Sequence, residues 1–349
     1  MAEPRTFSTG SPTRMISRGA AMARRGGSLR RTSSLQSLWP ASASQPLRII
    51  GRSRDSFSRD PAHPAEQVGT DWIEATLDNE LRLLALTGSR HSDRLASFAG
   101  LRPGGEMRKA MAAAIPQEAR RETLLHRLLD DLAGASFMSR AAWQSWPGGV
   151  EDYARRYGIA SPMDRVMTGI CLSYVPGSSA LTETGMGNKA ISDHPPGPLP
   201  LAGTEDDAFH TLHDHSGANQ WRLRRTDLWQ DGDGLFVDAW FQDSSGIHGE
   251  TERRTIYHEY TIRARFDDAA LDLQSIDVDG HVLPYRSCWG APGTAAVLLG
   301  RNARDFRILV PTLLRGSAGC THLNDMLRAL QDVAGMRDTL ADRQKTGSP

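Results

Sequence analysis

The feature that most constrains this chain is an internal echo. Short motifs of the first third return in the last third, in the same order and about 190 residues further on. Leu29-Arg30-Arg31-Thr32 returns as Leu223-Arg224-Arg225-Thr226, and Arg54-Asp55-Ser56 as Gln242-Asp243-Ser244. Ile73, Ala75, Leu77 and Asp78 match Ile262, Ala264, Phe266 and Asp267. Met107-Arg108 corresponds to Phe306-Arg307, and Asp130-Asp131 to Asn324-Asp325. Chance matches in an Arg- and Leu-rich chain would lose their order, so the series reads as a tandem duplication.

A chain of 349 residues is long for one ordinary core and suits about two domains. The expected division is a basic, disordered tail over 1–28, a degenerate first copy over 29–140, and a connector over 141–220. A second copy then covers 221–340, and a disordered tail covers 341–349. The connector is rich in Gly, Pro and Ser over 176–203, where a long loop is expected, and such loops are usually functional or mobile. The tail has no apolar stretch of the secretory kind. Lys+Arg and Asp+Glu both number 41, so no net field favours nucleic acid, and no apolar run is long enough to span a bilayer. Three cysteines do not make a disulfide framework, and the odd count suits a reducing cytoplasm.

Within the second copy, Leu235, Val237, Ala239 and Phe241 alternate with Phe236, Asp238, Trp240 and Gln242, which is a strand period. Tyr260, Ile262, Ala264 and Phe266 give a second strand, and Leu271 to Val278 a third after the Asp267-Asp268 turn. The period becomes helical at Phe306, Leu309, Val310, Leu313 and Leu314, with Pro311 expected to shorten that helix. A last helix carries Leu323, Met326, Leu327, Leu330 and Val333 as one stripe. Strands followed by helices in each copy predict an α+β fold with mainly antiparallel sheet. The two copies are expected to pack about a pseudo-two-fold axis, as a monomer with an internal pseudo-dimer or a weak homodimer.

The chemistry concentrates in Gly319-Cys320-Thr321-His322-Leu323-Asn324-Asp325, at the start of that last helix. With Thr321 as N-cap, Cys320 would lie beside free first-turn N–H groups, which lower a thiol pKa. His322 and Asp325, three apart, would share a helix face. Two functional readings follow. Cys320 could be a nucleophile with His322 or His258 as base, supported by Asp325. Alternatively Cys288, Cys320, His322 and His258 could ligate one zinc ion. The bland reading keeps both cysteines as small buried hydrophobes and His322 as a capping histidine. His210, His213 and His215, with Asp206, Asp207 and Asp214, resemble a metal loop by composition and equally an exposed connector. Gly185 to Ala190 follows no predicted strand and is loop, not a dinucleotide fingerprint. The doublets Arg30-Arg31 and Arg224-Arg225 could hold an anion, which makes Arg225 a candidate binding residue, or guard a solvated strand edge.

The run Gly319-Cys320-Thr321-His322-Leu323, with Asp243, His258 and Leu283-Pro284-Tyr285-Arg286-Ser287-Cys288, resembles a bacterial domain of unknown function, number 2889. The resemblance covers the second copy and implies Asp243 and Cys288 as further site residues. Trp289 departs from it, since Pro usually follows the middle cysteine of that family. No established activity comes with the resemblance. The expectation is an enzyme acting on a small organic substrate through the second copy, by acyl transfer or hydrolysis, with the first copy as scaffold. The rivals are a non-enzymatic binding or assembly protein with a structural Cys/His cluster, and a zinc-dependent hydrolase.

Overall fold

Alternation of apolar and polar side chains builds the strands of this protein, and their pairing builds one antiparallel sheet. The computed structural model describes residues 15–19, 23–40, 45–157, 167–189, 192–201 and 209–345. The first half supplies β1 (Ser28–Leu38), β2 (Leu47–Ser58), β3 (Glu66–Leu77) and β4 (Leu83–Gly88). Four helices follow: α1 (Ser92–Ala96), α2 (Gly105–Ala114), α3 (Pro116–Arg120) and α4 (Leu124–Met138). The intervening stretch holds α5 (Gly149–Tyr157) and the short β5 (Pro196–Pro198). The second half supplies β6 (Asn219–Asp231), β7 (Gly234–Gly246), β8 (Arg253–Asp267) and β9 (Leu273–Val282). It closes with α6 (Ala291–Thr294), α7 (Phe306–Leu313), α8 (Thr321–Ala329) and α9 (Val333–Lys345).

The strand order is β4-β3-β2-β1-β6-β7-β8, with β9 and β5 both on the far edge of β8. The fold is α+β with an antiparallel sheet, as the strand-then-helix pattern predicts. The central contact is β1 against β6, with Ser33 opposite Arg224. Two irregularities occur in both halves of the sheet, and β8 on β9 carries one more, between Glu259 and Tyr260. The register of β2 on β3 shifts between Asp55 and Ser56, and that of β7 on β8 between Asp243 and Ser244. The register of β3 on β4 shifts between Thr76 and Leu77, and that of β8 on β9 between Arg265 and Phe266.

These registers correct the first motif of the echo. Arg31 points to the helix side, paired with Asp55 at 2.8 Å, whereas Arg225 points to the opposite side, where it pairs with Asp227 and Asp238. Side chains alternate faces, so a strand match displaced by an odd number of residues inverts every position. Arg222 pairs directly across the strands with Asp243, and Arg31 does so with Asp55. Neither Arg doublet guards an edge. Arg30, Arg31, Arg224 and Arg225 are all buried at the centre of the sheet.

One face of the sheet packs on helices. Leu235, Val237, Phe241, Tyr260, Ile262 and Phe266 meet Leu323, Met326, Leu327 and Leu330 of the last helical stripe. Ile73, Ala75 and Leu77 meet Leu125, Leu128 and Leu129 of α4. The connector covers the middle of the other face, while Trp72 and Leu84 towards its β4 edge stay exposed. Phe209 packs with Leu223 and Trp240, and His210 hydrogen-bonds Thr32 and Ser34 at 2.9 and 2.7 Å. Of the expected amino-terminal tail, Arg18 and Gly19 donate their amides to Glu259 on β8, at 2.8 and 3.0 Å. At the other end α9 continues to Lys345. Residues 1–14 and 346–349 lie outside the described residues. Among the described residues, no helix is long and apolar enough to cross a membrane.

Candidate metal centre

Three side chains converge where β8 meets α8. His258 stands at the β8 irregularity, where the ladder passes from His258 opposite Asp243 to Ile256 opposite Ser244 and leaves Tyr257 as the extra residue. A bulge of this kind re-aims neighbouring side chains, and here both Tyr257 and His258 line one cavity. Cys320 and His322 come from the mouth of α8. Cys320, not Thr321, is the residue before the helix: its backbone is extended (φ −99°, ψ 127°), its side chain makes no cap, and its carbonyl accepts the Asn324 amide at 2.7 Å. One donor atom from each of His258, Cys320 and His322 lies within 4.8 Å of the others. The two imidazoles stack, with centroids 3.5 Å apart and planes 13° from parallel.

The electrostatics favour neutral groups. Burial drives the His322 pKa down to about 4 although Asp243 Oδ2, 3.7 Å from its Nε2, pulls the other way. Burial and the facing His322 hold His258 well below the usual imidazole range. Burial also raises the Cys320 thiol, against the Tyr260 hydroxyl that donates to its sulfur at 3.4 Å and the amides of Leu323 and His322. This overturns the expected low-pKa thiolate. The first-turn N–H groups are in place, but taking a thiolate out of water costs more than they return.

The other predicted site residues separate. Asp325 accepts hydrogen bonds from Arg222 at 2.8 Å and from Arg328 at 3.4 Å. Those cations outweigh its burial and hold its pKa at about 2, so it is an ion-pair partner rather than the carboxylate facing His322. Asp243 takes that place while binding the Arg222 guanidinium through both oxygens. Cys288 lines the same cavity but is not one of the three converging donors. Its sulfur lies 3.0 Å from Ser173 Oγ, and burial pushes its pKa up to about 12. Arg225 is engaged with Asp227 and Asp238 on the opposite face of the sheet. The composition-based metal loop does not gather as one: His210 is committed to Thr32 and Ser34, His215 faces the Trp39 carbonyl at 3.3 Å, and Asp206 and Asp207 lie outside the described residues.

The cavity in front of the cluster holds about 300 Å³. Its walls come from four parts of the chain: the loops flanking β4 and α1 (Glu80, Leu81, Arg102), the end of α4 (Phe137, Met138), the connector (Cys171, Ser173, Tyr174, His194), and the second half. All three cysteines, each a free thiol, face it. Tyr174 donates to the Tyr285 hydroxyl at 3.3 Å, and Tyr257 to the Ala141 carbonyl at 2.8 Å. Sequence reasoning named neither Tyr174 nor Tyr257. The signal that could have found the connector was its length, which exceeds what joining two halves requires.

The donor set suits a borderline transition metal. Zinc holds sulfur at ~2.3 Å and imidazole nitrogen at ~2.0 Å, so binding would draw the donors from the spread seen here to roughly 3.5 Å apart and would rotate at least one of the stacked rings, because a metal in the plane of one lies outside the plane of the other. His258 Nδ1 is buried with no hydrogen-bond partner, which is costly for an imidazole unless something binds there. A neutral imidazole keeps one lone pair for a metal, which at His322 would displace the Met138 sulfur 3.4 Å from Nε2 or the Thr321 hydroxyl 3.4 Å from Nδ1, and a metal would displace the thiol proton.

Residues 221–335 match a family described as a protein of unknown function (DUF2889). The matched segment runs from β6 into α9 and contains His258, Cys320 and His322. It agrees with the resemblance carried by Gly319 to Leu323, and it does not extend to the first half. Comparisons with curated proteins and with solved structures give no match.

Proposed function

We propose that this protein is an enzyme whose second half binds one zinc ion through His258, Cys320 and His322, leaving the fourth position open to the cavity. The observation that carries this reading is the convergence of two buried donors and the half-buried His322, with the Nδ1 of His258 itself unpartnered. A closed four-ligand shell would suit a structural site, whereas three ligands and a cavity suit catalysis. Zinc there would polarise a substrate carbonyl or lower the pKa of a bound water, so hydrolysis or acyl transfer of a small organic molecule is the reaction class. Tyr285, whose hydroxyl pKa burial raises, stays protonated and can donate to a developing oxyanion, while Tyr174 donates to the Tyr285 hydroxyl.

In this reading the halves are diverged copies packed about a pseudo-dyad through the β1–β6 pair, so the monomer contains its own dimer. The shared register shifts and the paired Arg31–Asp55 and Arg222–Asp243 contacts support it. The first half is then the scaffold: Gly69 stands opposite Asp55 where His258 stands opposite Asp243, and the Leu124 side chain packs 3.6 Å from where a Gly69 Cβ would lie. A reducing compartment such as the cytoplasm would keep Cys320 available as a ligand.

The test is elemental analysis of protein purified with a reductant and without chelator. About one zinc per chain is expected, falling below roughly a tenth of that in Cys320→Ser and in His258→Gln. Ser is favoured at a helix N-cap, so the Cys320→Ser chain should keep its circular dichroism. A wild-type protein that neither carries zinc nor takes it up at equimolar concentration overturns the assignment. Rapid alkylation of Cys320 at neutral pH in that protein would replace it with a Cys–His nucleophile.

A further inference from the structure

The cavity has a second chemical end. Arg140, in the 3-10 turn Ser139–Trp143 after α4, lines it. Its Nη2 donates to the Asn79 carbonyl at 2.9 Å, while its Nε is buried with no hydrogen-bond partner. Among the described residues no carboxylate pairs with it. The carboxylate on the same wall, Glu80, is held by Arg102 at 3.2 Å and Arg82 at 3.6 Å. A guanidinium is always charged, and the Nη side of Arg140 can donate to an anion held in the cavity.

The lining that Arg140 shares with the Cys/His cluster includes aromatic rings and methionine sulfur. Phe137 leaves 44% of its surface uncovered although it ends a packed helix, and it faces this space. Tyr174 and Tyr285 meet edge to face, with centroids 5.6 Å apart. Met138 and Met167 add polarisable sulfur, which packs well against ring edges. An aromatic ring uses these rings and sulfur atoms better than a saturated one.

We propose that the cavity binds a small aryl carboxylate, with its carboxylate on Arg140, its ring against Phe137 and the Tyr174–Tyr285 pair, and its far end toward His258, Cys320 and His322. Only the orientation of the far end rests on the zinc reading. Binding of the acid head and ring can therefore be tested without it.

Calorimetric titration of the purified protein at low salt with benzoate, benzyl alcohol and cyclohexanecarboxylate separates the parts. Benzoate should bind about tenfold or more tighter than either analogue. Arg140→Gln should reduce benzoate to the level of benzyl alcohol, and Arg140→Lys should retain part of the difference. Phe137→Leu, on a surface ring that folding does not require, should narrow the gap between benzoate and cyclohexanecarboxylate. The inference is overturned if benzoate fails to bind, if benzyl alcohol binds as well, if the saturated acid binds as tightly, or if Arg140→Gln changes nothing. Failure of the zinc reading would appear instead as metal-free protein that still binds benzoate.

Discussion

At the residue scale, burial decides the chemistry. Cys320, His258 and His322 share one desolvated corner, and each is driven toward its uncharged form. The residue types were legible in the sequence, since a Cys-Thr-His run ahead of an apolar helical stripe is unusual. Their state was not, because a first-turn dipole lowers a thiol pKa only where water also reaches the sulfur. Nor was the choice of carboxylate legible. Asp325 shares a helix face with His322, but Arg222 reaches it from β6. The same desolvation gives a pH test far from the cavity. Burial takes the His210 pKa down to about 3, helped by Arg54 and Arg52. The unfolded imidazole takes its proton near pH 6.5 and the folded one only near 3, so acid favours the unfolded chain across that window. Between pH 7 and pH 5 this site should remove about 2 kcal/mol of stability in urea unfolding, a loss that His210→Gln should not show. Equal pH dependence in the two proteins would disprove the assignment.

At the element scale, strands were read from alternation and α7 and α8 from their apolar spacing, but the single last helix expected through Val333 is broken by a 3-10 turn at Leu330–Asp332, after which α9 begins. Phe306–Leu313 remains helical through Pro311 but ends two residues later, as a missing N–H and a crowded preceding turn require. The bulge that leaves Tyr257 unpaired had no local signature, because a bulge is set by the partner strand. Close helix–sheet contact was equally hidden. Gly134 lies in α4 against β6, and a Cβ there would overlap the Arg222 guanidinium. Helix propensity alone says that Gly134→Ala should stabilise by about 1 kcal/mol. Displacing Arg222 from Asp243 and Asp325 costs more, since a broken buried pair is worth about 3–5 kcal/mol. Gly134→Ala should therefore lose about 2–4 kcal/mol in denaturant unfolding. A gain in stability would show that the helix can shift away.

At the scale of the whole molecule, the halves are joined by a shared sheet and by buried ion pairs that cross between them. Arg224 pairs with Asp131 at 2.6 Å, Arg328 with Asp130 at 2.7 Å, Arg31 with Asp332 at 3.4 Å, and Arg307 with Glu122. A chain of 219–345 alone would expose the β6 edge that β1 covers and would leave Arg224, Arg307 and Arg328 without those partners. Such a fragment should be unfolded, or folded only as a dimer with β6 paired to its own copy, and sedimentation would distinguish these states. A stable folded monomer would contradict the pseudo-dyad reading. The sequence by itself determined the α+β class, the antiparallel hairpins of the second half and the neighbourhood of Cys320, because alternation, helical spacing and turn chemistry are local. Only the tertiary structure decided which arginine faces which aspartate, which carboxylate reaches His322, and that the connector walls the cavity. Those outcomes depend on strand register and on desolvation, and both are set by partners far away in the chain.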